Sequence, residues 1–577
     1  MYVFRDGRRR VSGRELLHAL MVELYELTAH ATGDHFIPAL IRAAELESAL
    51  ADSPDSAAEC LEATASATDT IARAFVLRQP IANRELLIAT LAALAVPGAL
   101  WSSPLEGFAY YGLHPRSYAD LAAALPTPGQ VAVIGIRSIG CALSAVVLGA
   151  LRACRVFAER TSVRPGGHPF DRKTQLSPAQ RQWLAKFQSS SQYFICDEGP
   201  GLSGSSFLST ADALIEAGAD AASIHFICSR SVQPELLRAH DAARRWGRFH
   251  SHVISFLHRL EEPGHWIGGG DWRSHPLVVN GNGHGDGAEP LPAVWTHMER
   301  AKFISRDGQR LYKFEGFGHY GDRAQRNAQF LAEHKFAPRL LRHSPNGFVC
   351  YEFVKGRPAT AASLSESFLR RFASYCDLRQ RNFSAPPAGN VDPEMTVAGM
   401  CAANLREAFG READFCSLLP LERPVLSDSR MMPHEWLITD SGSLLKVDGA
   451  SHGDDHFFPG PCDIAWDLAG LIVEWGLSSQ AADFMCNEYR RLSGDSPAAR
   501  LPGYILAYSL FRMGYCQMAA EALAGTAEAP GLEAASASYR EIAASQIDGL
   551  MRRHACIQTG VSSVLRHGET AGGSPLL

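Results

Sequence analysis

In the run YFICDEGPGLSGSS, Tyr193 to Ser206, an apolar stretch stops at two adjacent acids, Asp197 and Glu198. A Gly/Ser loop then leads into the helical sequence FLSTADALIEAG. Loop N–H groups and a helix N-terminus favour an anion such as phosphate, and glycines let the backbone come close to it. The two acids cannot hold that phosphate, so they suit sugar hydroxyls or a bound Mg²⁺. A sugar phosphate meets both demands. The plain alternative is a generic βα turn of a doubly wound sheet. A second run, HEWLITDSGSLLKVDG (His434–Gly449), sets Glu435 13 residues before Asp448, with a Gly442 turn between two apolar strands. A hairpin of that kind brings both carboxylates to one end, where a Mg²⁺ ion between them relieves their repulsion.

The first run resembles the 5-phosphoribosyl 1-diphosphate (PRPP) motif of type I phosphoribosyltransferases, with a loop about one residue longer at Gly199-Pro200-Gly201. The resemblance implies that Asp197 and Glu198 hold the ribose hydroxyls and that Ser203, Gly204, Ser205 and Ser206 wrap the 5-phosphate. Two more segments follow the family's order. GIRSIG (Gly135–Gly140) stands where the pyrophosphate loop belongs and offers Arg137. ERTSVRPGGHPFDR (Glu159–Arg172), with Arg160 and Arg164, stands in the place of the mobile loop. Arginine's planar fork suits phosphate oxygens, although each arginine alone could be a solvated surface residue. The aromatic cluster of SSPLEGFAYYGLHP (Ser102–Pro115) could border an acceptor pocket or simply fill a core.

The second run resembles the metal-binding hairpin of protein kinases and aminoglycoside-phosphotransferase-like kinases, in which an Asn and an Asp stand at the same spacing; here Glu435 replaces the Asn. That resemblance makes Glu435 and Asp448 Mg²⁺ ligands and Asp428, in LSDSR, the catalytic-loop aspartate. Asp428 lies seven residues before Glu435 where the family has five, and the preceding His-Gly or His-Arg is absent. Asp463 and Asp467 in DIAWDLAG resemble the brace of that loop. Lys313 in RLYKFEG would reach the ATP phosphates, and YEFVKGRP (Tyr351–Pro358), with Glu352, looks like the hinge that carries adenine. GFGHYG (Gly316–Gly321) follows this lysine rather than preceding it, a departure from the kinase nucleotide loop.

These residues need several supports. The length of 577 residues fits about three domains. Residues 1–96 read as amphipathic helices, a cap or a dimerisation element. Residues 97–275 alternate apolar runs with helices: VAVIGI (131–136), RVFAE (155–159), YFICD (193–197), SIHFIC (223–228) and HVISFL (252–257). That alternation predicts a doubly wound parallel sheet, with ligands at the carboxyl ends of its strands. Residues 276–293 read as a linker, and IGGGDWR (Ile267–Arg273) either continues it or covers the first site with Trp266 or Trp272. Residues 294–558 begin with a hairpin turning at Asp307-Gly308 and continue into a helical lobe, as a bilobal kinase-like domain would. Residues 559–577 read as a disordered tail. The expected fold is therefore multidomain α/β plus α+β.

Charge is nearly balanced, 55 basic against 61 acidic residues, with no basic stripe for nucleic acid. The 13 cysteines show no paired or zinc-type spacing, which fits a reducing, cytoplasmic setting. No apolar segment is long enough to suggest a membrane span. The leading expectation is a bifunctional enzyme. One half would join PRPP to an unidentified base or amine, or run the reverse; the other would phosphorylate a small-molecule alcohol with ATP, both with Mg²⁺. The alternatives are a PRPP- or nucleotide-binding regulatory protein and a protein kinase regulated by PRPP. The absence of an activation-segment signature after Asp448 speaks against the last. A homodimer is left open.

Overall fold

VAVIGI is buried along its whole length, as a central parallel strand covered on both faces must be. Its side chains divide by alternation. Val131 and Val133 join one core with the helix Ile139–Ala153 and the N-terminal helices, whereas Ala132, Ile134 and Ile136 join a second core under the helix Ser205–Glu216. The computed structural model describes the chain except residues 6, 169, 188–190, 255–264, 267–291, 344–346, 384, 386–392, 454 and 567–577.

A short strand β1 (Arg9–Val11) pairs antiparallel with β2 (Leu100–Ser102), bracketing the helices Gly13–Glu26, Ile37–Ala51, Ala58–Leu77 and Arg84–Ala92. The parallel sheet comprises β3 (Val131–Ile136), β4 (Ala158–Val163), β5 (Gln192–Cys196), β6 (Ile224–Cys228) and β7 (His250–Val253), in the order β4-β3-β5-β6-β7. The order reverses between β3 and β5, so the carboxyl ends of those strands form the crevice that such sheets use for ligands. The predicted strand RVFAE is displaced: β4 starts at Ala158 and runs through Val163, so Arg160 belongs to a strand and not to a loop. The helices Ile37–Ala51 and Ala58–Leu77 pack with the helix Ile139–Ala153 in one core, covering this face of the sheet.

The next sheet is antiparallel. It contains β8 (His265–Trp266), β9 (Lys302–Ile304), β10 (Arg310–Phe314), β11 (Leu340–His343) and β12 (Phe348–Glu352), ordered β11-β12-β10-β9-β8. Trp266, read as part of a spacer or as a cover for the first site, lies in this sheet opposite Phe303. Ile267–Arg273, with Trp272, lies outside the described residues. The following lobe is mainly helical. Its small sheets are β13 (Gly356–Pro358), β15 (Trp436–Thr439) and β16 (Leu444–Lys446), and β14 (Pro424–Leu426) with β17 (Pro461–Asp463). The last helix, Ala529–Arg566, extends into the part of the chain expected to be a disordered tail. Among the described residues no helix is long and apolar enough to cross a membrane.

The first residues of the chain reach the helical lobe. Phe4 bridges to Phe457, Arg5 donates its N–H to the His456 carbonyl at 2.9 Å, and Phe458 donates to the Val3 carbonyl at 3.0 Å. The Gly/Ser loop also meets this lobe through Leu202, which packs on its core.

Candidate active site

The hairpin Glu435–Asp448 closes as its spacing requires: Val447 donates its N–H to the Glu435 carbonyl at 3.0 Å, and Trp436 faces Lys446 across β15 and β16. Asp448 then lies at the junction of the antiparallel sheet and the helical lobe. Lys302 and Lys313, directly opposite each other on β9 and β10, both meet its carboxylate. The Lys313 ammonium contacts Asp448 Oδ1, Ser451 Oγ at 3.1 Å and Glu315 at 3.2 Å, while Lys302 Nζ stands 3.7 Å from Asp448 Oδ2. Burial alone would raise Asp448, but Lys313, His452 and Lys302 outweigh it and hold the carboxyl well below its ordinary value.

Glu435 is paired differently. Lys446, fully buried at the end of β16, donates to Glu435 Oε2 at 2.6 Å and stands 3.6 Å from Asp428 Oδ1. Burial would raise Glu435, and Lys446 and His452 bring it below its ordinary value. The carboxylates that the sequence assigns to one shared ion thus each carry their own lysine.

Asp428 follows β14 and is wholly buried. Its Oδ1 accepts from His452 Nδ1 at 2.8 Å, and its Oδ2 accepts from the Tyr375 hydroxyl, with Arg379 Nη1 at 3.9 Å. Lys446, His452 and Arg379 outweigh the effect of burial and hold Asp428 far below the usual carboxylate range. Asp467 braces the loop, as expected: its two oxygens accept the backbone N–H groups of Asp428 and Ser429 at 2.9 Å each. Asp463 accepts the N–H groups of Glu422 and Arg423 on Oδ2, at 2.9 and 2.7 Å, and accepts from Arg500 Nε on Oδ1 at 2.8 Å.

Glu352 ends β12, exposed, with its carboxylate 3.3 Å from Arg339 Nε and its N–H donated to the Arg339 carbonyl. That places its side chain on a surface ion pair. Glu315 was missed in the sequence. It is buried beside Lys313, accepts from the Tyr351 hydroxyl at 2.9 Å, and keeps one carboxylate oxygen without a hydrogen-bond partner. A carboxylate two residues after a strand lysine was the available signal.

In the parallel-sheet domain Asp197 and Glu198 follow β5 at its carboxyl end, and the helix Ser205–Glu216 starts after Gly204, whose φ of 67° suits glycine. Ser203 Oγ donates to Ser205 Oγ at 2.9 Å and accepts the Ser205 N–H at 3.2 Å. Ser206 is the second residue of the helix, and its carbonyl accepts from Thr210 Oγ1 at 2.8 Å. Gly107 donates its N–H to Glu198 Oε2, and a Cβ there would stand 2.7 Å from that oxygen. Burial pushes Asp197 up to about 7 and, with repulsion from Asp197, Glu198 to about 7. Glu106, beside them, is pushed up to about 8 by burial and by Glu198. Glu106 went unrecognised because it sits about ninety positions away, in the aromatic segment.

The three predicted phosphate arginines have other partners. Arg160 is buried in β4 and bidentate on Glu47, at 2.7 and 2.8 Å, with Asp69 on its third nitrogen. Arg137 and Arg164 share Asp52, at 2.9 and 2.5 Å. All three tie the sheet to the N-terminal helices, because the acids at 47, 52 and 69 arrive there from a region that the sequence reading left without chemistry. Arg172, at the end of the same segment, is the arginine whose charge acts on both Asp197 and Glu106.

No family model and no curated protein matches the sequence. Part of the chain is similar to solved kinases. The choline kinase LicA from Streptococcus pneumoniae overlaps 42% of this chain and 89% of its own, at 13% identity and a TM-score of 0.30. A choline/ethanolamine kinase family protein from Mesorhizobium loti overlaps 48% and 96%, at 16% identity and 0.29. An aminoglycoside phosphotransferase from Alicyclobacillus acidocaldarius overlaps 44% and 90%, at 14% identity and 0.24. These overlaps cover less than half of this chain; what the site can do follows from its own side chains.

Proposed function

We propose that residues 294–558 form an ATP-dependent kinase that phosphorylates a hydroxyl of a small molecule. The observation that carries this reading is the contact of Lys313 with Asp448, between the antiparallel sheet and the helical lobe, with Lys302 at the same carboxylate. Incoming phosphates would draw both lysines off Asp448 and free it for a cation. The donor set fits Mg²⁺: Asp448 is a hard oxygen ligand kept ionised by its surroundings. Mg²⁺ bound there would neutralise charge on the phosphate oxygens.

Asp428 is too acidic to be a strong base, so its part is to orient the acceptor hydroxyl after His452 yields Oδ1. The hydroxyl oxygen attacks the γ-phosphorus, the bond to the ADP oxygen breaks, and the hydroxyl proton passes through Asp428 to solvent.

A second activity, phosphoribosyl transfer from PRPP, is favoured by one observation: Asp197, Glu198 and Glu106 are three half-buried carboxyls raised to about 7, 7 and 8 beside a Gly/Ser loop that opens a helix. Ribose hydroxyls would take up their unused acceptor capacity. As the bond from the anomeric carbon to pyrophosphate breaks and the bond to an amine nitrogen forms, they would face the positive charge on the sugar. Arg172 is the candidate for the pyrophosphate.

The test is mass spectrometry of a metabolite extract incubated with the full chain, Mg²⁺, ATP and PRPP, leaving out one component at a time. A phosphorylated product that requires ATP supports the kinase, and pyrophosphate release that requires PRPP supports the transferase. Loss of neither ATP nor PRPP with all components present contradicts both.

A further inference from the structure

The position of Lys446 bears on how many ions the nucleotide site holds. Ligand atoms of Asp428, Glu435 and His452 lie within 4.8 Å of one another, a grouping able to hold a metal ion. The Lys446 ammonium stands among them, 2.6 Å from Glu435 and 3.6 Å from Asp428, on a fully buried side chain. The backbone that carries it is fixed: Lys446 pairs with Trp436 across β15 and β16, and its backbone N–H is donated to the Phe336 carbonyl at 2.7 Å.

The charges also balance. Relative to a neutral amide ligand, Glu435 brings one extra negative charge, and Lys446, 11 residues later, brings one positive charge onto it. An ion could enter only by expelling a buried, paired cation, which leaves the lysine's own charge unpaired.

We propose that Lys446 is a resident cation standing in for one divalent ion, so that this site holds its nucleotide with a single ion, at Asp448. The proposal rests on the kinase reading above. In it, Glu435 is not an ion ligand but the anchor that positions Lys446 beside the transferring phosphoryl group.

Electron paramagnetic resonance of Mn²⁺ with the full chain and an imido analogue of ATP counts the ions that bind only when nucleotide is present. That difference excludes ions held by the acids of the other domain. The wild-type chain is expected to bind one. Lys446→Met, which keeps the length of the side chain and removes the charge, is expected to bind two. Glu435→Gln, with Lys446 intact, is expected to stay at one.

Two ions on the wild-type chain overturn the proposal, as does a single ion on a natively folded Lys446→Met or none on Glu435→Gln. If Lys446→Met does not fold, the wild-type and Glu435→Gln counts decide alone. No nucleotide-dependent ion on the wild-type chain overturns the kinase reading and this inference with it, an outcome distinct from a count of two.

Discussion

Asp467 accepts the backbone N–H of Asp428 at 2.9 Å with one carboxylate oxygen and that of Ser429 at 2.9 Å with the other. Both N–H groups flank the side chain assigned to the acceptor hydroxyl, so a residue 39 positions away sets the shape of that loop. The Arg379 guanidinium, 3.7 Å from Asp467 Oδ2, connects the brace to Asp428 itself.

Asp467→Asn puts an amide where two acceptors are needed and leaves Arg379 short of charge. The expected cost is about 3 kcal/mol, in the range for breaking a buried charged network. Urea unfolding followed by tryptophan fluorescence should show a lower midpoint for the transition of the helical lobe. An unchanged midpoint would mean that Asp467 does not support the loop.

Arg160→Met leaves Glu47 and Asp69 facing each other without their shared cation. A loss of about 3–5 kcal/mol is expected, with PRPP binding unchanged in the fraction that remains folded. Arg172→Met should do the reverse, sparing stability and weakening PRPP binding at least tenfold by calorimetry. Equal effects of the two substitutions on binding would return Arg160 to the ligand site.

The acids of the parallel-sheet domain make stability depend on pH with a definite sign. Asp197 and Glu198 at about 7 and Glu106 at about 8 keep their protons in the folded chain at pH values where the unfolded chain has lost them. Folding therefore takes up protons. The contribution of these three groups is full below about pH 4 and is lost as the pH rises to 7 and 8, by at most about 1.4 kcal/mol per unit for each group. Thermal melts between pH 5 and pH 8.5 should show this decline, and the triple variant Asp197→Asn, Glu198→Gln, Glu106→Gln should flatten it. A rise in stability over that range would contradict the assigned surroundings of these carboxyls.

Much of this architecture is legible in the sequence because its signals are local. VAVIGI, YFIC and IHFIC are apolar runs bounded by turns, and each forms a strand of the parallel sheet. The hairpin from Glu435 to Asp448 closes because its turn and its spacing are both contained in fourteen residues. Pairing over long distances is not legible in this way. Arg160 looks like a phosphate arginine until Glu47 and Asp69 arrive from 113 and 91 positions away. Lys446 reads as one more polar residue in a strand, and only the fold shows it between Glu435 and Asp428. The docking of Met1–Arg5 against Asp455–Phe458 is no more legible, since its backbone hydrogen bonds and that of Arg5 Nε to the Asp455 carbonyl at 2.7 Å join residues about 450 positions apart.

Replacing Lys313 with Met removes one of the two lysines at Asp448 and the group that would reach the phosphates. Turnover of ATP should fall about 100-fold, the scale of removing one preorganised charge from a phosphoryl-transfer site. The native circular dichroism spectrum should be retained. A turnover loss of less than threefold would assign the phosphates to other residues.

The most direct test is calorimetry of ATP binding in the presence and absence of Mg²⁺, on the wild-type chain and on Asp448→Asn. The wild-type chain should bind ATP more tightly with Mg²⁺ than without it, and Asp448→Asn should lose that Mg²⁺-dependent gain by about two orders of magnitude. Equal Mg²⁺-dependent binding by both proteins, or no ATP binding by the wild-type chain, would contradict the kinase assignment.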